Sequence, residues 1–194
     1  MIGFGQFTFV PDDNFEQALI NLGYDFVLDD TVETTAIDTV NYLYINGLGI
    51  SDLTGIEDFT ALTELFCYSN QLSSLNLSNN TQLFEVSCGS NQLTYIDLIN
   101  GNNSGLWYFQ SMNNPGLNCI DVDDVAFAEY NWTNIDSWTT FSMNCNATGI
   151  KDYTSQRKLI KVLDVFSRSV TPKPNMTLLY IYSDGSTEKK LIIK

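Results

Sequence analysis

Two short stretches of the chain repeat residue types that chemistry uses. LFCYSNQL (65–72) and VSCGSNQL (86–93) place Cys67 against Cys88 and Asn70 against Asn91, and the residues just before them set Glu64 against Glu85. Each pair is 21 residues apart. A cysteine nucleophile needs a base beside it, and the chain has no histidine, so Ser-His and Cys-His arrangements are absent. A zinc site is poorly supported without histidine or a closely spaced Cys pair. No Gly-rich phosphate loop is present. Glu64 and Glu85 remain. If the stretches are neighbouring strands, the two carboxylates stack about 5 Å apart, the separation of a retaining glycosidase pair. Repeat periodicity alone also places any outward pair at that distance, so catalysis is not expected. The acidic stretches VDD (122–124) and DFVLDD (25–30) lack the spacing and glycine of an EF-hand loop. They are expected to be solvated acids, and no metal or cofactor is expected.

The elements around these residues follow from the repeat. LYINGLGI (43–50), LFCYSNQL (65–72), VSCGSNQL (86–93) and FQSMNNPGL (109–117) recur at offsets of 22, 21 and 23. A second apolar segment follows in three of the units: LSSLNL (72–77), LTYIDL (93–98) and LNCIDV (117–122). Leu62, Leu65, Cys67, Asn70, Leu72, Leu75 and Leu77 match L-x-x-L-x-L/C-x-x-N-x-L-x-x-L-x-L position by position, and the unit resembles a leucine-rich repeat. Such a unit cannot bury its apolar side alone, and stacked units make a continuous core with a parallel sheet. Inward positions then take Leu, Ile, Val and the thiols of Cys67 and Cys88, which are expected to be buried and reduced. Asn70, Asn91 and Asn114 form a turn ladder in which each amide satisfies backbone groups inside the bend. Leu48 stands at the asparagine position of the first unit, beside Gly49, so that coil is expected to turn differently.

Outward strand positions carry Tyr42, Tyr44, Glu64, Phe66, Tyr68, Glu85, Ser87, Tyr108, Gln110 and Met112. Five aromatic rings beside two acids exceed what solubility requires and are expected to bind a protein or a glycan. Cross-strand aromatic pairing that only stabilises a sheet is the competing expectation.

The ends of a solenoid need covering. PDDNFEQALINLGY (11–24) reads as an N-terminal cap helix, with Asp13 and Glu16 at capping-box spacing and Phe15, Ala18, Leu19 and Leu22 on one face. Gly23 ends it. The aromatic stretch 118–145 breaks the period. Four cysteines can pair in three ways. A Cys67–Cys88 bridge would join in-register strands, where the side-chain geometry rarely fits. Cys119 and Cys145 bracket the aromatic stretch, and an oxidising compartment favours their disulfide.

Charge divides the chain. Residues 1–150 hold 19 of the 23 acids and none of the nine bases, whereas residues 151–194 hold four acids and all nine bases. A body of charge −19 cannot neutralise phosphates, which excludes nucleic acid and disfavours anionic membranes. No apolar run reaches the length of a membrane-spanning helix, about 20 residues. The tail reads as strands: KLIKVLDVF (158–166), TLLYIY (177–182) and KKLIIK (189–194), with SDGS (183–186) as a hairpin turn. With LIKVLDVFSRSV, a Pro-Lys-Pro spacer and LYIYSDGSTEKKLIIK in order, the tail resembles the C-terminal sorting domains of bacterial type IX secretion. Ser167 stands where that family usually has Gly. FVPDDNFEQALINLGYD, ISDLTGIEDFTALTEL, the CxxNQLxxLxLSNNTxL unit, CIDVDD and NWTNID resemble the secreted leucine-rich repeat proteins of the same bacteria. These resemblances imply recognition of residues 151–194 by secretion machinery. They also imply a location outside a Gram-negative cell, in the medium or on its surface. The start, MIGFGQ, reads as a signal-peptide remnant.

The expected organisation is therefore an α/β-type solenoid, mostly β: a signal-peptide remnant at 1–6, a helical cap at 7–39 and about four leucine-rich repeat coils at 40–122. A C-terminal cap at 123–150 and a small antiparallel β domain at 151–194 complete it. The expected function is non-enzymatic protein or glycan binding or adhesion, with a surface spacer lacking a specific ligand as the first alternative and a carboxylate-based glycan hydrolase as the weaker one.

Overall fold

The computed structural model describes residues 6–145, together with the backbone of three tail strands at 159–164, 177–182 and 187–191. The expected signal remnant lies outside these residues except for Gln6. Two compact units divide at Asn146 and Ala147.

Along the first unit run β1 (Phe7–Phe9), α1 (Asp13–Leu22), β2 (Thr31–Glu33), α2 (Thr34–Ile37), β3 (Tyr42–Tyr44), β4 (Glu64–Phe66), β5 (Ser74–Asn76), β6 (Glu85–Ser87), β7 (Tyr95–Leu98), β8 (Tyr108–Gln110), β9 (Cys119–Val122), α3 (Val125–Asn131) and β10 (Thr140–Ser142). β1 and β2 pair antiparallel by themselves, and the other eight strands build two parallel sheets rather than one. The first has the order β3-β4-β6-β8 and the second β5-β7-β9-β10. Three successive turns lay one short strand in each (β4 and β5, β6 and β7, β8 and β9), whereas β3 stands in the first sheet alone and β10 in the second alone. Inward residues align in register: Leu43, Leu65, Val86 and Phe109 in the first sheet, and Leu75, Ile96, Ile120 and Phe141 in the second. All eight are buried in one apolar cluster. The second apolar segments of the repeat thus acquire their own hydrogen-bonded sheet, because strands one period apart come within pairing distance.

The bend after each first-sheet strand is held by a ladder of buried asparagines. Asn70 Oδ1 accepts from the Leu48 and Ile50 amides at 2.9 and 3.1 Å, and its Nδ2 donates to the Ile45 and Cys67 carbonyls. Asn91 accepts from Leu72 N and donates to the carbonyls of Cys67, Cys88 and Gly89. Asn114 accepts from Leu93 N and donates to the Cys88 and Ser111 carbonyls. Each rung serves its own coil and the preceding one. The residue before each ladder position sits in the left-handed region: Gly47, Ser69, Ser90 and Asn113 have φ of 69°, 58°, 54° and 63°. In the first coil Gly49 is also left-handed, and Asn70 supplies the amide that Leu48 lacks.

The period does not break at residue 118. Helix α3 occupies the connection between β9 and the next coil without lengthening the period, and the chain stays in register. Asp136, 22 residues past Asn114, accepts from the Asn113 and Asn114 amides at 3.0 and 2.8 Å. Thr139 Oγ1 donates to Leu117 O, and β10 pairs with β9. Trp132 fills the space beneath α3, touching Phe109, Phe127 and Phe141, and its Nε1 donates to Leu106 O. A disulfide joins Cys119 to Cys145, with Cα atoms 5.7 Å apart.

At the other end, α1 presses Phe15 and Leu19 into the core, with Phe15 against Phe59. The capping-box expectation fails. Asp12, not Asp13, is the N-cap and accepts from the Asn14 and Phe15 amides. Glu16 is fully buried and turns to the 29–31 segment, where its Oε1 accepts from the Asp29 and Thr31 amides. The contact ties the helix to the partly exposed 29–31 segment, where Thr31 N also donates to Asp29 Oδ1. Leu22 is exposed, and Gly23 closes the helix at φ 82°.

In the second unit, β11 (Leu159–Asp164), β12 (Thr177–Tyr182) and β13 (Thr187–Leu191) form an antiparallel sheet in that order. The last strand starts two residues before the expected Lys189, and the expected turn at 183–186 lies outside the described residues.

Replacing Asn91 with Ala should destabilise the first unit by about 2 kcal/mol, because the buried Leu72 amide loses its partner while the Cys67, Cys88 and Gly89 carbonyls each keep a second donor. Urea denaturation measures this; a loss below about 0.5 kcal/mol would show that water replaces the side chain.

Candidate functional site on the first sheet

Alternation in β3, β4, β6 and β8 turns two rows of side chains away from the core. One row reads Tyr42–Glu64–Glu85–Tyr108 across the four strands, and the next reads Tyr44–Phe66–Ser87–Gln110. The eight residues named from sequence as a binding face are Tyr42, Tyr44, Glu64, Phe66, Tyr68, Glu85, Tyr108 and Gln110. Seven lie in these rows, and exposed Tyr68 follows β4. Tyr42 and Tyr44 are 55% and 53% exposed, so the β3 edge presents two largely free rings.

The two halves of the face differ in chemistry. On the β3–β4 side, Tyr44 stacks on Phe66 with ring centroids 4.7 Å apart. The Tyr44 hydroxyl donates to Glu64 Oε2 at 2.9 Å. That bond leads the influences raising the Tyr44 hydroxyl above the ordinary tyrosine range. On the β6–β8 side the face is made of amide and hydroxyl. Gln110 Oε1 lies 3.1 Å from Ser87 Oγ, which donates to it, and accepts from Gly89 N at 3.1 Å. Ser87 is therefore covered rather than presented. A Cβ on Gly89 would come within 2.4 Å of Gln110 Nε2, so glycine there lets the amide lie flat.

Glu64 and Glu85 are register partners on adjacent strands, the one like-charged pair in the two rows. Partial burial, and then the Glu64 charge, hold Glu85 above the usual carboxylate range. Neither of two described cavities includes this pair. One, of about 270 Å³, is lined by Asp52, Glu57, Ser74 and Asn76 among others; the second, of about 450 Å³, lies around Trp132. Among the described residues no three His, Cys, Asp or Glu side chains converge as a metal site.

Cys67 and Cys88 lie inward as free, buried thiols. Burial pushes Cys67 up to about 12 and Cys88 well above its ordinary value, so neither ionises near neutral pH. Sequence reasoning missed three polar residues that matter to this geometry. Asp136 ends the ladder under β8. Asn80, fully buried, donates to the Ile56 and Phe59 carbonyls on the opposite side of the coil. Tyr95 donates to buried Asp121 at 2.9 Å, and burial leads the influences pushing its hydroxyl up to about 12. The offset of 22 from Asn114 was the available signal for Asp136.

Two parallel sheets sharing one core, with an asparagine ladder at the bends, give the architecture. The chain folds as a leucine-rich repeat solenoid. No family model matches the sequence. Internalin J of Listeria monocytogenes serotype 4b (strain F2365) is 37% identical over 71 residues, which is 37% of this chain and 8% of that protein. The solved functional domain of InlJ from Listeria monocytogenes, which includes a cysteine ladder, is 28% identical with a TM-score of 0.50. That match covers 75% of this chain and 30% of the InlJ domain. An internalin C2 from the same species, strain 4b F2365, gives 14% identity and a TM-score of 0.43, covering 73% of this chain and 97% of that one. The chain thus spans under a tenth of the length of the curated relative it matches.

Glu64→Gln should move the Glu85 titration midpoint down, because one of its two upward influences is removed. The midpoint should stay above the ordinary range, because burial remains. A raised carboxyl pKa contributes stability below the unfolded value that is lost as pH rises through the folded value. Glu85→Gln should therefore remove that loss. Carboxyl NMR titration reads the first effect and urea denaturation at two pH values the second; an unmoved Glu85 midpoint would mean the two charges do not interact.

Proposed function

We propose that this chain is an exported, non-catalytic binding protein that holds a partner protein on the outward face of the first sheet. The observation that carries this reading is the set of five aromatic rings and two carboxylates gathered on one regular surface. A flat sheet face suits a macromolecule better than a small molecule, which needs a concave site. The likeness to internalins supports a surface or adhesion role in general terms. The Cys119–Cys145 disulfide supports an oxidising compartment, and the charge of −19 in residues 1–150 supports a soluble, non-sticking body. The helix α1 and the segment 123–145 act as caps that keep the core of a short solenoid from water. The basic tail, residues 151–194, serves as a type IX sorting signal read by the secretion machinery of a Gram-negative cell.

A second reading, a surface spacer without a specific ligand, draws support from the Tyr44–Phe66 stack and the Tyr44–Glu64 bond. Both contacts strengthen the sheet without needing a partner.

Phe66→Ala with Tyr68→Ala separates the two. The full chain and the double variant are compared on protein and glycan arrays, with circular dichroism as a fold control. A protein ligand whose signal falls tenfold or more in the folded variant supports binding. Absence of any protein ligand, or a ligand indifferent to the variant, favours the spacer; signals confined to glycans replace the protein partner with a sugar. Removal of residues 151–194 should retain the body inside the cell envelope, whereas the full chain reaches the surface or medium. Equal export of both, measured by mass spectrometry of the fractions, would remove the sorting role.

A further inference from the structure

Glu64 and Glu85 stand directly opposite each other near the middle of a four-stranded sheet, with Tyr42 on one side and Tyr108 on the other. Adjacent strands lie about 4.8 Å apart, and like charges at that spacing weaken a sheet. Nothing nearby in sequence offsets the pair, since residues 1–150 contain no Lys, Arg or His. Glu64 receives one bond, from the Tyr44 hydroxyl, and among the described residues the Glu85 carboxylate accepts none. Two uncompensated carboxylates walled by aromatic rings are what a cationic side chain requires. The carboxylates supply charge and acceptors, and ring faces supply cation–π attraction. A guanidinium suits the row best, because its planar fork can reach two acceptors at once and its flat face can lie on a ring.

We propose that the Tyr42–Glu64–Glu85–Tyr108 row is a subsite for an arginine or lysine side chain presented by the partner protein. The inference rests on the reading of this face as a binding surface. Charge complementarity extends beyond the row: a body of charge −19 steers a basic partner toward it, an attraction that salt weakens. A bare divalent cation is a poorer occupant. Calcium takes six to eight oxygens, and no three candidate ligands converge among the described residues. A neutral sugar would leave the carboxylate repulsion in place.

The test titrates the full chain with a 12-residue peptide bearing three arginines and with the same peptide bearing citrulline, which keeps the shape and removes the charge. Isothermal calorimetry gives the affinities, and backbone NMR shifts locate the contact. The arginine peptide should bind at least tenfold more tightly and shift the amides of residues 42, 64, 85 and 108. Glu64→Gln with Glu85→Gln should weaken it about tenfold. Glu33→Gln with Glu129→Gln, an equal charge change at exposed positions off this face, should weaken it less than twofold. Equal binding of the two peptides overturns the proposal, as does equal weakening by both double variants or displacement of the peptide by millimolar calcium at constant ionic strength. If an array ligand is lost in Phe66→Ala with Tyr68→Ala but kept in Glu64→Gln with Glu85→Gln, the binding face stands and the cation subsite falls.

Discussion

A solenoid coil must turn its backbone sharply while its polar groups point into an apolar core, and every such group needs a partner. The asparagine ladder meets that demand with a side chain that carries both a donor and an acceptor. Each amide reaches backward: Asn70 completes the bend of the first coil, Asn91 that of the second, and Asn114 that of the third. No interior coil is self-sufficient. Its bend is closed by the following coil, so the units must fold as a stack rather than singly. The terminal positions show the same constraint from outside. The first coil has no asparagine to give and uses left-handed Gly47 and Gly49, whereas the last rung is Asp136, an acceptor without donors, where no further coil follows in register among the described residues.

That dependence explains why the outward face can vary. Inward positions and ladder residues fix the register, so side chains on the other side of each strand are free to serve other purposes. The face uses this freedom unevenly. Tyr42, Tyr44 and Phe66 leave rings at one edge, while Ser87, Gly89 and Gln110 form a flat amide surface nearer the other. A larger residue at position 89 would lift Gln110 and roughen that half. The thiols of Cys67 and Cys88 contribute as small apolar fillers, silenced as nucleophiles by burial.

Much of this was legible because the repeat is a one-dimensional pattern. Leu65 and Val86, Cys67 and Cys88, and Asn70 and Asn91 share an offset, and a fixed offset between short strands implies register. Outward alternation then followed for Tyr42 through Gln110. The failures have one physical origin: they depend on contacts that periodicity does not encode. The second apolar segments recur in the sequence, but that they pair with one another as a second sheet depends on contacts between coils. The final coil was hidden by the helical connection α3 in place of a short turn and by Asp136 in place of asparagine. Asp13 and Glu16 had the spacing of a local capping box, yet the amides of Asp29 and Thr31, distant in sequence, claimed the Glu16 carboxylate. The tail strands were read from β-branched runs, but the start of β13 at Thr187 depends on pairing with β12.

The absence of bases from residues 1–150 gives the acids a different task from the usual one. Without ion-pair partners in their own stretch, they act as acceptors for backbone amides. Asp52 serves Thr54, Glu57 serves Gly55, Asp97 serves Ile99, Asp123 serves Gly101, Asp124 serves Phe127, and Asp136 serves two ladder amides. Charge-assisted bonds of this kind are stronger than neutral ones and help a body of charge −19 tolerate its own repulsion. Glu64 and Glu85 depart from the pattern. They lie in the middle of a sheet, where backbone amides are committed to the ladder, and among the described residues neither carboxylate accepts one. Their only described acceptance is from Tyr44 to Glu64. A carboxylate pair that closes no turn and caps no helix weakens the sheet it sits in. Residues 1–150 hold no base to offset it, so any positive group that does lies outside this stretch of chain.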